Sequence, residues 1–212
     1  MIDHKIDFIA AVRGRLIVSV QADAGDPLDD PHILTAMAQA VVRGGAAAIR
    51  ACQPANIAAI RAAVGVPLIG LSKKEYRDSS VYITPTLADA LAVAATGCAV
   101  IALDATLRPR PGGETLGTIV AGLRQATSAL LMADVATVQE GAAALELGFE
   151  IISSTLSGYT AESSGSDPCQ PDYELVAALV REAGGRAAVI AEGRIWHPEE
   201  AQRLLALGAH AV

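Results

Sequence analysis

The chain has 212 residues, 52% of them hydrophobic but only 3% aromatic, and carries a net charge of −7. That length supports one large core in a single domain (1–212), built from Ala, Val, Leu and Ile rather than from rings. An acidic chain with no basic run argues against nucleic acid or an anionic membrane as partner.

The opening stretch MIDHKIDFIAAVRGR has charge on both sides of a short apolar piece. This is not a secretory signal, and residues 1–14 are expected to form an N-terminal helical cap. Then an apolar run and an Ala/Leu-rich helical segment alternate. The first predicted strand, 15–21, ends on Gln21 and precedes a helix over 32–45. The second, 47–51, carries Arg50 within AAIRA. The third, 67–71, is followed at once by Lys73 and Lys74. YITPTLADA (82–90) reads as a short extended insertion leading into a helix over 86–97. The fourth strand, 99–104, ends on Asp104, and the loop LRPRPGGET (107–115) offers Arg108 and Arg110 to an anion. The fifth, 129–134, ends on Asp134 before a helix over 137–148. The sixth, 149–155, ends on Thr155 and opens a long Ser/Gly/Pro-rich loop, 156–174, of the kind that covers active sites. After a helix over 172–185, the seventh strand, 186–193, holds Glu192 and Gly193, and a helix follows over 197–208.

Continuous rather than alternating apolar runs are the mark of parallel strands covered on both faces. Most of the helices end in glycine, a common C-cap. Eight βα units of this size predict a (β/α)8 barrel; an open doubly wound sheet is the runner-up, weakened because no strand is followed by a G-x-G-x-x-G turn. The eighth strand begins only at 209–212, so the barrel is expected to be cut off there, lacking its final strand and helix and leaving two unpaired edges.

Barrel chemistry sits at the C-terminal ends of strands. Those ends here give Gln21, Arg50, Lys73, Asp104, Asp134, Thr155 and Glu192. A charge within AAIRA or VIAEGR is costly unless paired, so Arg50 and an acidic partner across the mouth are expected to satisfy each other or a bound anion. Lys73, at a strand end in a partly desolvated cavity, is expected to have a lowered pKa and to serve as a general base or a Schiff-base nucleophile, whereas Lys74 points to solvent. The four histidines form no metal-binding pair, and the three cysteines have neither metal-like nor framework spacing. No metal or cofactor is expected. The cysteine usage fits a reducing cytoplasm, and no apolar run is long enough to span a membrane.

The stretches GRLIVSVQA, AAIRA, PLIGLSKKEY, VYITPT, VIALDATLRPRP, MADVATVQEG, STLSGYT and VIAEGRI, spread from residue 14 to the end, resemble the N-acetylmannosamine-6-phosphate 2-epimerase family. The resemblance implies a TIM-barrel isomerase of amino-sugar and sialic-acid catabolism that inverts C2 of a phosphorylated amino sugar without a cofactor. It places the catalytic pair on Lys73 and Glu192, and the sugar-holding residues on Gln21, Arg50 and Asp134, with Thr155 beside them. Backbone near Gly193 holds phosphate in that family, together with a loop after the eighth strand. Asp104, Arg110 and Tyr159 are further candidates in the matching stretches. The resemblance also implies a cytoplasmic enzyme and a homodimer. Other readings are a Schiff-base aldolase, a metal-dependent pentose-phosphate epimerase, or a barrel that binds a phosphosugar without turning it over.

Overall fold

The computed structural model describes residues 8–165 and 167–212. Its strands are the cores of the apolar runs: β1 (Ile17–Val20), β2 (Ala48–Cys52), β3 (Leu68–Leu71), β4 (Val100–Asp104), β5 (Leu130–Asp134), β6 (Ile151–Ser153) and β7 (Ala188–Ile190). They pair in parallel with their sequence neighbours, in the order β1 to β7. Helices α1 (Phe8–Val12), α2 (Pro31–Arg43), α3 (Pro54–Ala63), α4 (Leu87–Ala94), α5 (Leu116–Ala126), α6 (Val138–Glu146), α7 (Tyr173–Ala183) and α8 (Pro198–Ala206) fall between them. Local chemistry marks the starts. The side chains of Asp30, Thr86, Thr115, Thr137 and Asp172 each accept from a backbone N–H in the first turn of the following helix.

Alternate residues of each strand serve two cores. Ile49, Leu68, Ile101, Leu131, Ile152 and Val189 pack in a layer with the helices. Ala48, Ile69, Val100, Met132, Ile151 and Ile190 fill a second, inner cluster. The first layer is the sheet-to-helix core; the second is the barrel lumen. Phe8 and Val12 of α1 are buried in that inner cluster and plug its lower end. The first seven residues of the expected cap lie outside the described residues.

The seam between β7 and β1 corrects one expectation. His210–Val212 run between the two edge strands: His210 N donates to Val189 O (2.6 Å) and Ala191 N to Ala211 O (3.1 Å) on one side, Gly14 N to His210 O (2.7 Å) and Ile17 N to Val212 O (2.7 Å) on the other. The two edges are therefore joined through the first residues of an eighth strand. Among the described residues, a cleft of 420 Å³ lies between Leu16–Ser19 and Ile190–Ile195, with Val212 at its edge.

YITPT (82–86) takes the extended form predicted, and LADA (87–90) begins α4. Lys73 bridges Ile83 in antiparallel fashion, Lys74 N donates to Tyr82 O (2.9 Å) and Thr84 N to Ser72 O (2.6 Å). Asp104 N donates to Ile83 O (3.0 Å), which ties this arm across the end of β4.

Close packing around β3 leaves no room for a methyl group. A Cβ at Gly70 would stand 2.8 Å from Cys98 Sγ, 2.9 Å from Val93 Cγ1 and 3.1 Å from Ile57 Cδ1. Gly70→Ala is expected to destabilise the barrel by about 1–3 kcal/mol through overpacking, seen as a lower urea midpoint with an unchanged m-value.

Candidate active site

Period-two alternation aims the polar strand ends inward. Arg50 shares the parity of Ala48 and Cys52, Asp134 that of Met132, and Glu192 that of Ile190, all residues of the lumen cluster. Gln21, Lys73, Asp104 and Thr155 lie on the same parity of their own strands. The lumen mouth is thus polar because the inward row of each strand changes character at its C-terminal end.

Arg50 stands at the centre. Its guanidinium makes a two-pronged pair with Asp134, NH2 to Oδ2 at 2.7 Å and NH1 to Oδ1 at 3.1 Å. NH1 also lies 3.2 Å from Glu192 Oε2. The side chains of Arg50 and Asp134 are 3% and 0% exposed, that of Glu192 26%. Burial works against the Arg50 charge, but the Asp134 and Glu192 carboxylates more than offset it and hold the guanidinium above its ordinary value. Burial pushes the Glu192 carboxyl up, and the Asp134 charge adds to this against the pull of Arg50. The Thr155 hydroxyl lies 2.7 Å from Asp134 Oδ1 and 3.1 Å from Glu192 Oε2. Ser154 fixes the Glu192 backbone, its Oγ accepting from Glu192 N at 3.1 Å and donating to Glu192 O at 3.0 Å.

Two buried polar atoms in this region have no partner among the described residues: Arg50 Nε, a donor, and Gln21 Oε1, an acceptor. Gln21 spends its amide on Ser19 Oγ, at 2.6 Å. A buried orphan donor and acceptor at a cavity mouth mark the place of a polar ligand.

Lys73 sits elsewhere. Its side chain is 36% exposed and pairs at 3.1 Å with Asp23, itself 82% exposed. The desolvated surroundings expected for it are absent. It lines, with Asp23, Gln53 and Tyr82, a 780 Å³ hollow distinct from the seam cleft that Arg50, Glu192 and Gly193 line. Lys73 and Glu192 make no contact, although the ammonium is near enough to draw the carboxyl down. Gln53, held at φ +71°, donates from Nε2 to Lys73 O (2.8 Å) and accepts from Ser72 Oγ (3.1 Å), fixing the backbone that carries the amine. Lys74 is 55% exposed and pairs with Asp89.

Of the remaining candidates, Gly193 lines the cleft with Arg50 and Glu192 and Asp104 is the β4–β5 register neighbour of Asp134, while Arg110 and Tyr159 have their contacts in other places. Asp104 pairs with Arg108 at 2.6 Å and with Thr106, and burial raises its pKa. Arg110, expected to reach an anion from its loop, is buried and donates to the backbone carbonyls of Pro85 and Asp104. Tyr159 is exposed and lies 5.9 Å under the Arg194 guanidinium, which also donates to Ser157 O and Gln170 O. Gly193 adopts φ +109° with open space where a side chain would be. Asp23, Gln53 and Ser154 escaped the sequence reading. Their partners lie far off in the chain, 20 to 50 positions away. Among the described residues no group of three or more His, Cys, Asp or Glu could hold a metal ion, and no helix is long and apolar enough to cross a membrane.

Residues 34–212 match the family described as "Putative N-acetylmannosamine-6-phosphate epimerase". The chain belongs to this family. A relative from Lactiplantibacillus plantarum, described as a 2-epimerase for the same sugar phosphate, is 46% identical over 98% of this chain and 91% of its own length. One from Caldanaerobacter subterraneus subsp. tengcongensis is 44% identical over 98% and 86%. The solved structure of the N-acetylmannosamine-6-phosphate 2-epimerase from Clostridium perfringens superposes with a TM-score of 0.94 at 42% identity, covering all of this chain and 90% of that one. Mandelate oxidase, at 17% identity and a TM-score of 0.66, shares the fold alone.

In this member of the epimerase family the Arg50 cluster carries measurable stability. Arg50→Met is expected to cost about 3–5 kcal/mol in chemical denaturation, since it leaves two carboxylates facing each other without a cation, one of them fully buried. Glu192 gives a pH signature. With its folded pKa raised, its stabilising contribution is complete below about pH 4.3 and is lost as pH rises through the raised value. The difference in unfolding free energy between Glu192→Gln and the parent should therefore move in favour of the variant as pH rises through that interval. A difference that is flat, or runs the other way, contradicts the assignment.

Proposed function

We propose that the chain interconverts N-acetylmannosamine 6-phosphate and N-acetylglucosamine 6-phosphate by removing the proton at C2 and returning it to the opposite face. What supports this is the pair of orphaned polar atoms, Arg50 Nε and Gln21 Oε1, with the Glu192 carboxyl, pushed up by burial, lying against the same guanidinium. Opening of the sugar ring exposes a C1 carbonyl that acidifies the C2 proton. Inversion then needs two proton-carrying groups on opposing walls. The loops after β3 and β7 are four strands apart in a ring of about eight, so Lys73 and Glu192 approach C2 from opposite sides. The Arg50 Nε–H is free to bind the oxygen on which enolate charge develops, a contact worth on the order of 10²–10³ in rate. Asp134 keeps the guanidinium from turning. Gln21 Oε1 is left to accept from a sugar hydroxyl or amide, and the open space and positive φ at Gly193 let a phosphate approach the backbone.

The same reading takes the whole chain as one barrel unit working in the cytoplasm as a homodimer, the last read by light scattering. Lys73→Ala and Glu192→Gln should each lower turnover by at least about 10³-fold with circular dichroism unchanged. In heavy water the product should acquire solvent deuterium at C2, followed by NMR. Turnover with no deuterium in either epimer would refute proton transfer.

A further inference from the structure

We infer that Arg194 is a positioning residue for Glu192, fastening both ends of the long loop after β6 to the turn that carries the carboxyl.

Glu192 leans on that loop. Ser154 bonds its backbone N and O, and the Thr155 hydroxyl stands 3.1 Å from its Oε2. These two residues hold Glu192 only as well as the loop beyond them is held. Arg194 supplies that from the other side. Its Nε donates to Gln170 O at 2.9 Å near the loop's end, NH1 donates to Ser157 O at its start, and NH2 lies 3.4 Å from Ser157 Oγ. The planar fork of an arginine lets one side chain take carbonyls from two separate stretches of chain. The Ser157 hydroxyl donates to Asp172 Oδ2 at 2.6 Å, and Asp172 Oδ1 accepts from Leu175 N at 2.9 Å in the first turn of α7. A circuit of contacts thus runs from Glu192 through Ser154 and Ser157 to Arg194 and closes across Gly193. That glycine, at φ +109° with no side chain to pack, does not fix the turn by itself.

Backbone strain points the same way. Arg194 adopts φ +57°, a left-handed conformation that a residue with a long side chain takes up only where its surroundings impose it. Among the described residues the non-glycine residues with positive φ are Gln53, Thr84 and Arg194. All three brace the barrel mouth. Gln53 donates to Lys73 O at 2.8 Å, Thr84 Oγ1 accepts from Ser72 N at 3.2 Å beside it, and Arg194 stands just past Glu192. The strain therefore falls on the segments that carry the two proposed proton-transfer groups.

The consequence for catalysis rests on the epimerase reading. Proton transfer at C2 needs the Glu192 carboxyl within hydrogen-bond reach, and a displacement of about 1 Å costs on the order of 10²-fold in rate. Arg194 touches the loop rather than the reacting atoms, so its effect passes through Glu192.

The test uses the full chain. Arg194→Met should lower kcat by about 10- to 100-fold with KM changed by less than about threefold. Arg194→Gly, which relieves the strain but also lacks the guanidinium, should lose as much. In a Glu192→Gln background Arg194→Met should cost nothing further, because a residue acting through Glu192 has no second route to the reaction. An independent readout is amide hydrogen exchange followed by NMR. The Glu192 N–H, bonded to Ser154 Oγ, should lose protection by at least about tenfold in Arg194→Met, while the Ala191 N–H, bonded to Ala211 O, keeps its own. Near-parent turnover in the Met or Gly variant, a loss that persists in full in the Glu192→Gln background, or unchanged exchange at Glu192 overturns the proposal. A parent chain without epimerase turnover refutes the functional reading instead, and the exchange comparison still decides whether Arg194 holds Glu192 in place.

Discussion

A single guanidinium in the barrel mouth sets the terms for everything around it. Arg50 is almost wholly withdrawn from water, and a buried charge persists only where opposite charge and hydrogen bonds replace its hydration. Asp134 meets this need in two-pronged geometry, and Glu192 lies against the same nitrogen. Burial and the neighbouring Asp134 charge push the Glu192 carboxyl up, against the pull of Arg50. The chemistry proposed for the site is a result of this uneven sharing.

The sheet makes the arrangement affordable. Asp104 and Asp134 are direct neighbours in the β4–β5 register and both wholly buried, yet each has its own arginine, Arg108 for one and Arg50 for the other. Outward-facing residues on the same strands are aliphatic and pack under the helices, so the ionic layer is fixed by an ordinary hydrophobic core behind it. Arg110 serves that frame: it closes off backbone carbonyls where two loops cross.

Much of this was legible in the sequence. Unbroken apolar runs gave the parallel strands, and the first polar residue after each run gave the mouth. Period two adds that Gln21, Arg50, Asp134 and Glu192 face inward together. What stayed hidden depends on distance along the chain. Asp23 meets Lys73 from 50 positions away, and Ser154 holds Glu192 from 38 away. Nothing local marks either residue. Arg110 misled because a Pro/Gly-rich loop reads as solvent, whereas here it folds back under the arm of residues 82–85. The start of an eighth strand at 209–212 is legible, but not that its few residues suffice to make backbone bonds to both edges.

The arm that carries Lys73 has a further implication. The amine stands on an antiparallel excursion hung between β3 and β4, while the guanidinium and both of its carboxylates are rooted in or just beyond the strands of the ring. In the proposed chemistry the reacting groups are thus divided between the strands of the ring and this excursion. Insertions or deletions near its tip, around Arg77–Ser80, would retune the reach of the amine without disturbing a single ladder of the sheet, which makes this short excursion the natural place to adapt the barrel to sugars of different size.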